Sequence, residues 1–557
     1  MTHQDNYWTR RRPRREVFGL GGGLAAALLV GACGGDDNKS TPTPGGNSSA
    51  PTAASGSSPA AKQPKTGGTL NIRLQINPPS LDPQRTLNIS KYWTLYNLYN
   101  NLVRYKMGPE VGWGDMVIEP DLAARWEQPD PSTYIFHLNP GVKFHDGSEM
   151  TAEDVKFSLI RVATPHPTHE KIFLYDSIDT TSIQAVDKNT VKVTLKQPYS
   201  AFLYALGWQP EASIVSKPFV EKNNDDISKV VNGTGAFKLE SFQDNVNYIM
   251  VKNPEYFRKG QPYLDKINNF VINDVSTVTA QFRAKQLDFE ATLSKPQADA
   301  LKASEKDMLF ASGPSGSNNC LMLLSDRPPF NDIRLRQALS LALDRPKLVG
   351  ILTQNEGVAI GPIGPHLTNW ATADPLTLPN MKRDLTKAKQ LIDATGQKDL
   401  KFLLNVTNQQ PSWSDWAQVI KQQLAEINVT LDIQIIEHAI WFKKSIDRDF
   451  QMFQWARLPD FDPEGYIYPY YTKGGGRNFG NIDDPELDSL ARKQRAAVSQ
   501  PERKSIIQEF ERKATEKAYN VYTHDGPRYA AWHPNLKNYR PHMSYVDRRA
   551  DAIWKDA

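Results

Sequence analysis

The 557-residue chain holds two cysteines, Cys33 and Cys320. That number excludes a disulfide framework as the source of its stability. Cys320 lies in the apolar run Asn319-Cys320-Leu321-Met322-Leu323 with no histidine beside it in sequence. It reads as a small buried hydrophobe rather than a nucleophile. The ten histidines are dispersed and form no close pair. His169-Glu170 lacks the second histidine that a zinc helix needs, so no metal and no cofactor is expected. Gly313-Pro314-Ser315-Gly316 lacks the spacing of a nucleophile elbow. Gly233-Thr234-Gly235 lacks the third glycine of a dinucleotide loop, and no GK[ST] phosphate loop exists. The 66 basic residues are mixed among 62 acidic ones for a net charge of +4, which leaves no nucleic-acid footprint. Beyond the first 33 residues no apolar run approaches the length of a membrane span.

What is present begins at the N-terminus. Arg10, Arg11, Arg12, Arg14 and Arg15 precede an apolar stretch from Val17 to Val30, which closes on Val30-Gly31-Ala32-Cys33. A basic head, a short apolar stretch and small residues before a cut site make an export signal, too short for a permanent span. The cysteine at the cut resembles a bacterial lipobox. That resemblance implies lipidation of Cys33 and attachment to the outer face of the cytoplasmic membrane. Arg14-Arg15 followed by Val17-Phe18 leaves twin-arginine and general secretory export both open. Residues 34–66 are Ser, Thr, Pro, Gly, Ala and Asn with hardly any apolar bulk. They read as a flexible tether with a mean reach on the order of 30 Å.

Folded sequence starts at Gly67-Gly68-Thr69-Leu70-Asn71-Ile72, a strand by alternation. Thr133 to Leu138 and Thr190 to Leu195 alternate likewise. Thr151-Ala152-Glu153-Asp154 is a capping box, after which Val155, Leu159 and Ile160 share a helical face. Asn331 or Asp332 caps a helix whose Leu335, Ala338, Leu339, Ala342 and Leu343 form one stripe. Asp384 to Gly396 is a helix with an acidic cap and a terminal glycine. Ser414 to Ile427 is another, followed by the alternating strand Val429, Leu431, Ile433, Ile435. Residues 484–519 read as two helices broken near Gln500-Pro501. The mixture is α/β with more than one domain.

Several segments match a known family in order. Pro120-Asp121-Leu122-Ala123-Ala124-Arg125-Trp126-Glu127 is followed by Thr133 to Leu138, then Gly141-Val142-Lys143-Phe144-His145-Asp146-Gly147 and Thr151 to Val155. Further on come Gly233-Thr234-Gly235-Ala236-Phe237, Asn253-Pro254-Glu255-Tyr256, Leu264-Asp265-Lys266-Ile267 and Pro329 to Ser340. Over about 67–557 the chain resembles the family-5 extracellular solute-binding proteins, the peptide, oligosaccharide and nickel-chelate receptors of ABC importers. The resemblance implies an α/β, two-lobed periplasmic-binding-protein fold of class II type, with an extra domain inserted in the first lobe. Lobe I is then 67–105, 233–312 and 521–557, the insertion 106–232, and lobe II 313–520. It also implies a monomer that closes on a peptide or other small polar solute and hands it unchanged to a permease and ATPase. Taken one by one, the motif residues have plainer readings. Trp126, Phe136 and Phe144 are expected in the core, His145 and Asp146 in a turn network, Gly147 at positive φ, and Arg334 and Arg336 in surface or interdomain salt bridges.

Two stretches are candidate cleft walls: Asn88 with Tyr92 and Trp93, and Trp455-Ala456-Arg457-Leu458-Pro459-Asp460-Phe461-Asp462-Pro463. In peptide-binding relatives the second carries a tryptophan and an aspartate that pairs with the ligand's α-ammonium. Here the spacing from Trp455 is one residue longer, and Asp460 takes that position. Counting back from Pro463 places Pro459 there instead. Arg457 would oppose an ammonium or attract a carboxylate. Asp460 and Asp462 equally suit a turn before Pro463. Trp413 and Trp441 suit stacking on a sugar or side chain, or plain packing; Trp416, with Ile420 one turn on, suits the core. Peptide and oligosaccharide both remain open as ligands. An anchored extracytoplasmic hydrolase is the rival from another class, with no motif of its own.

Overall fold

The structure is a computed structural model that describes residues 63–75, 78–85, 91–164, 166, 177–208, 210–457, 459–543 and 549–556. The export signal, Cys33, most of the tether and Asn88 lie outside the described residues. Of the helix Lys91–Leu98, side chains are described from Thr94 onward, which leaves out those of Tyr92 and Trp93.

The fold is built on two large sheets. The first has seven strands, ordered Leu309–Pro314, Pro527–Trp532, Phe289–Leu293, Thr69–Leu74, Lys266–Val271, Asn247–Lys252, Phe237–Gln243. Its centre is parallel, since Thr69–Leu74 runs alongside both Lys266–Val271 and Phe289–Leu293; the remaining pairs are antiparallel. The second has five, ordered Thr430–Ile436, Lys401–Thr407, Met452–Arg457, Asn318–Leu323, Asn520–Tyr522. A smaller antiparallel sheet of four, Ala123–Asp130, Thr133–Leu138, Thr190–Thr194 and Gln184–Asp187, lies in sequence between the first and later strands of the seven-stranded sheet.

Local sequence explains most elements. Thr151 and Asp154 form the reciprocal capping box that opens helix Ala152–Ala163, and Val155 and Leu159 are buried beneath it, with Ile160 half-buried. Asp332 and Asp384 accept the first free N–H groups of their helices, and Gly396 closes the second at φ 71°. The predicted stripe Leu335, Ala338, Leu339, Ala342 and Leu343 is buried in one core with Trp416, Ile420 and the strands of the five-stranded sheet. Gly233 and Gly235 are required for a different reason. A Cβ on either would fall within 2.3 Å of the Leu98 backbone, so only glycine lets the two segments touch.

Phe136 and Phe144 are core, but Trp126 is only half-buried, because the strand Ala123–Asp130 lies at the edge of its four-stranded sheet. Arg334 pairs with Asp332 as expected. Arg336 makes no salt bridge among the described residues. It is buried, donating to the carbonyls of Phe330 and Lys517 and lying 4.3 Å from the Tyr519 ring centre. His145 and Asp146 do form a turn network with Gly235, Asn232 and Ser148, and Gly147 has φ 90°. Cys320 is fully buried, and burial pushes its thiol up to about 11, away from nucleophilic use.

Candidate functional site

The strand Met452–Arg457 leads out of the five-stranded sheet into the loop 459–463 and then the helix Glu464–Tyr471. This loop meets the strand Val103–Tyr105 and the helix Phe202–Trp208. Phe461 packs edge-on against Trp208 (ring centres 4.6 Å) and Tyr105 (5.5 Å), and shares a buried cluster with Tyr96 and Met543. Beside it is a pocket lined by Tyr105, Tyr199, Tyr204 and Trp208 on one side and Asp460, Phe461, Asp462, Glu464 and Gly465 on the other. The water-sized space inside is about 10 Å³, room for one water at most. Aromatic rings form much of its wall.

The three carboxylates of the loop have different fates. Asp462 is buried and bound through both oxygens by the fully buried Arg503, which lies over the Trp370 ring; it also accepts the Glu464 N–H at 2.8 Å. Glu464 is buried against Arg495 (3.2 Å) and Gln494, and burial raises its proton affinity. Asp460 has no basic partner among the described ion pairs. Its Oδ1 accepts the N–H groups of Phe461 (2.8 Å) and Asp462 (3.3 Å), and its side chain lies over Gly465. Burial, and then the charge of Asp462, push its carboxyl up to about 7 despite those donors. The loop backbone is fixed at both ends of this residue. Tyr466 Oη accepts the Asp460 N–H at 2.9 Å, and His366 Nε2 donates to the Asp460 carbonyl at 2.6 Å. Asp460 is therefore a buried carboxyl group held by its own loop, with the Arg477 charge and the two N–H groups only partly offsetting its burial.

The other sequence candidates separate from this pocket. Arg457 is fully buried behind the loop. It donates to the Tyr466 carbonyl at 3.0 Å and lies 4.2 Å from the Tyr470 ring centre, with Tyr471 and Tyr522 also around it. Its neighbours are aromatic faces and a carbonyl, not a carboxylate. Trp455 and Trp441 stack on each other at 5.0 Å and 12°, with His438, Phe453 and Phe479 around them. Both indole N–H groups are buried without a partner. Trp413 is partly buried against the core of the five-stranded sheet. The structure thus brings Asp460 and Asp462 together, sets Arg457, Trp441, Trp455 and Trp413 apart from the pocket lining, and adds a wall that sequence reasoning missed. The missed signal was the aromatic density of 199–208, where Tyr199, Phe202, Tyr204 and Trp208 fall within ten residues. No group of three or more His, Cys, Asp or Glu that could hold a metal occurs among the described residues.

Comparison with known proteins agrees with this architecture. The sequence model of the family described as bacterial extracellular solute-binding proteins, family 5 Middle, matches residues 117–478. The "Probable D,D-dipeptide-binding periplasmic protein DdpA" of Escherichia coli (strain K12) is 28% identical over 468 residues, covering 81% of this chain and 87% of its own. The glutathione-binding protein GsiB of Salmonella typhimurium is 30% identical over 327 residues, 58% of this chain and 62% of its own. Among solved structures, the periplasmic binding protein DppA of Helicobacter pylori, in complex with the peptide STSA, superposes with a TM-score of 0.75 at 23% identity, over 88% of this chain and 99% of that one. The oligopeptide-binding protein AppA of Bacillus subtilis, in complex with a nonapeptide, gives 0.75 at 21%, over 89% and 100%.

Proposed function

Because the chain belongs to the bacterial extracellular solute-binding proteins of family 5, we propose that it captures a short peptide by its free α-amine in the cleft between its lobes and delivers it intact to an ABC permease. The observation that carries this reading is Asp460, a positioned carboxylate that makes no ion pair among the described residues, in an aromatic pocket. A ligand ammonium completes it with a charge-assisted pair, and closing the lobes around the pair removes water from it. Contacts to both lobes then favour the closed form, which the permease and its ATPase recognise. No covalent step is called on. The names of DdpA, GsiB, DppA and AppA point the same way. The aromatic wall of Tyr105, Tyr199, Tyr204 and Trp208 favours a second reading, an oligosaccharide stacked on the same pocket.

The lobes we assign are those expected from sequence, 67–105, 233–312 and 521–557 against 313–520, with 106–232 inserted. Sheet membership supports this division, with each crossing about two residues later than the bounds expected from sequence. Strand Leu309–Pro314 belongs to the seven-stranded sheet and Asn318–Leu323 to the five-stranded one, while the chain returns between Asn520–Tyr522 and Pro527–Trp532. We further propose that Cys33 is acylated and holds a monomeric receptor at the outer face of the membrane. What supports it is the basic and apolar leader; no described helix is long and apolar enough to cross a membrane.

Calorimetry with tetra-alanine and N-acetyl-tetra-alanine tests the ligand class. The free peptide binds, acetylation weakens it at least tenfold, and Asp460→Asn abolishes the difference. Equal binding of both peptides by the native protein overturns the amine-binding role. Binding of an oligosaccharide with neither peptide bound selects the second reading. Mass spectrometry of the mature protein tests the anchor, and an unmodified thiol at Cys33 refutes it.

A further inference from the structure

The chain passes from the seven-stranded to the five-stranded sheet at 315–317 and returns at 523–526. Opening and closing of the lobes must be absorbed at these few residues. Gly316 stands in the first crossing at φ 75°, a conformation that disfavours any side chain. It is also packed from three directions. A Cβ there would come within 2.4 Å of Met543 Cε, 2.7 Å of Pro459 Cβ and 3.1 Å of His366 Cε1. Both of its backbone polar groups are engaged. Its N–H donates to the Asp525 carboxylate on the returning crossing at 3.0 Å, and Ser315 Oγ donates to the other oxygen of the same carboxylate. Its carbonyl accepts the hydroxyl of Tyr466 at 2.7 Å.

That same hydroxyl accepts the N–H of Asp460. One oxygen, fully buried on a helix of the second lobe, therefore connects the hinge peptide to the residue that awaits a cation. A phenylalanine would fill this site with the same ring. The hydroxyl's burial is compensated because its proton and a lone pair are both used, one toward the hinge and one toward the loop.

We propose that Tyr466 is a positioning residue that couples Asp460 to the hinge at Gly316, so that the state of the Asp460 loop biases the crossing between lobes. This rests on the reading of Asp460 as the ligand's partner only for its biological use; the coupling itself is a property of the empty protein. A rotation at Gly316 moves its carbonyl off the Tyr466 hydroxyl and releases the Asp460 N–H. A loop stiffened by a bound ammonium holds the hydroxyl in place and resists that rotation, which is a coupling free energy between two sites.

Amide hydrogen exchange on the full chain, without ligand, tests it through a double-mutant cycle. Asp460→Ala loosens the loop and is expected to speed exchange at 315–317 at least threefold. Tyr466→Phe, which keeps the ring, is expected to speed it similarly. On the Tyr466→Phe background Asp460→Ala then adds no further change. Additive effects, or no effect of Asp460→Ala at 315–317, overturn the proposal. A merely structural tyrosine would lower the melting temperature without removing the dependence of the hinge on Asp460. Tetra-alanine supplies a second arm: it protects 315–317 in the native protein, but in Tyr466→Phe at saturation it protects only 459–463. If native protein ignores tetra-alanine while the ligand-free cycle is non-additive, the amine-binding reading has failed and the coupling stands.

Discussion

At the residue scale, Asp460 and Asp462 look alike in sequence, two aspartates ahead of a proline. They differ because Arg503, 41 residues further along, reaches Asp462 and not Asp460. Nothing in the local pattern announces which carboxylate will be paired, since the partner is delivered by the packing of a distant helix. Arg457 teaches the same lesson in reverse. Its position near the expected aspartate suggested a ligand contact, yet tyrosines from two other elements surround it. The Asp462 pair makes a direct prediction. Arg503→Met keeps the bulk and leaves Asp462 buried without its counter-charge, a loss of about 3–5 kcal/mol. Urea denaturation followed by circular dichroism measures it. A loss under about 1 kcal/mol would mean that water reaches Asp462 and that the pair behaves as a surface bridge.

At the scale of elements, much was legible because the information is local. The capping box at Thr151 and Asp154, the cap at Asp384 and the left-handed Gly396 act within a single turn of chain, so residue type and spacing suffice to find them. The strands Thr69–Leu74, Thr133–Leu138, Thr190–Thr194 and Thr430–Ile436 were legible from alternation for a similar reason, whereas Lys401–Thr407 and Met452–Arg457 of the five-stranded sheet were not read. The pocket was not, because its walls come from separate elements: the end of Val103–Tyr105, the helix Phe202–Trp208 and the loop 459–463. The opening turn of helix Glu464–Tyr471 joins the two kinds of information. Gly465 lowers helix propensity there, and alanine would gain about 1 kcal/mol on that account. Yet a Cβ at 465 would lie 2.0 Å from Asp460 Cγ, where the carboxylate now rests. Gly465→Ala is therefore expected to fold and to melt within a few degrees of the native protein. Displacing the Asp460 side chain lowers affinity for tetra-alanine at least tenfold, read by calorimetry. Unchanged affinity would show that the carboxylate's present position over Gly465 is not the one that binds.

At the scale of the whole molecule, the two sheets communicate through two short crossings, and Asp525 ties one crossing to the other. Its carboxylate takes the Ser315 hydroxyl and the Gly316 N–H from the opposite strand. Burial pushes this carboxyl up to about 7 against the pull of those donors. The folded state then holds a proton that the unfolded chain gives up near the usual value of 3.8. Its stabilising contribution is complete below that value and is lost as pH rises through about 7. Buried His366, His524 and His145, held down to about 4, act in the opposite sense, since their contribution is present at neutral pH and fades as pH falls below the usual 6.5. Net stability across pH 4–7 mixes the two, so the native curve alone is uninformative. The difference from Asp525→Asn isolates one group, because the histidines are common to both proteins. The amide can accept from Gly316 N–H and donate to Ser315 Oγ, and it carries no charge at any pH. The melting temperature of Asp525→Asn minus that of the native protein should therefore rise steadily between pH 5 and pH 8, as measured by scanning calorimetry. A difference that falls over that interval would mean that Asp525 is ionised across the hinge and that its charge, rather than its proton, holds the crossings together.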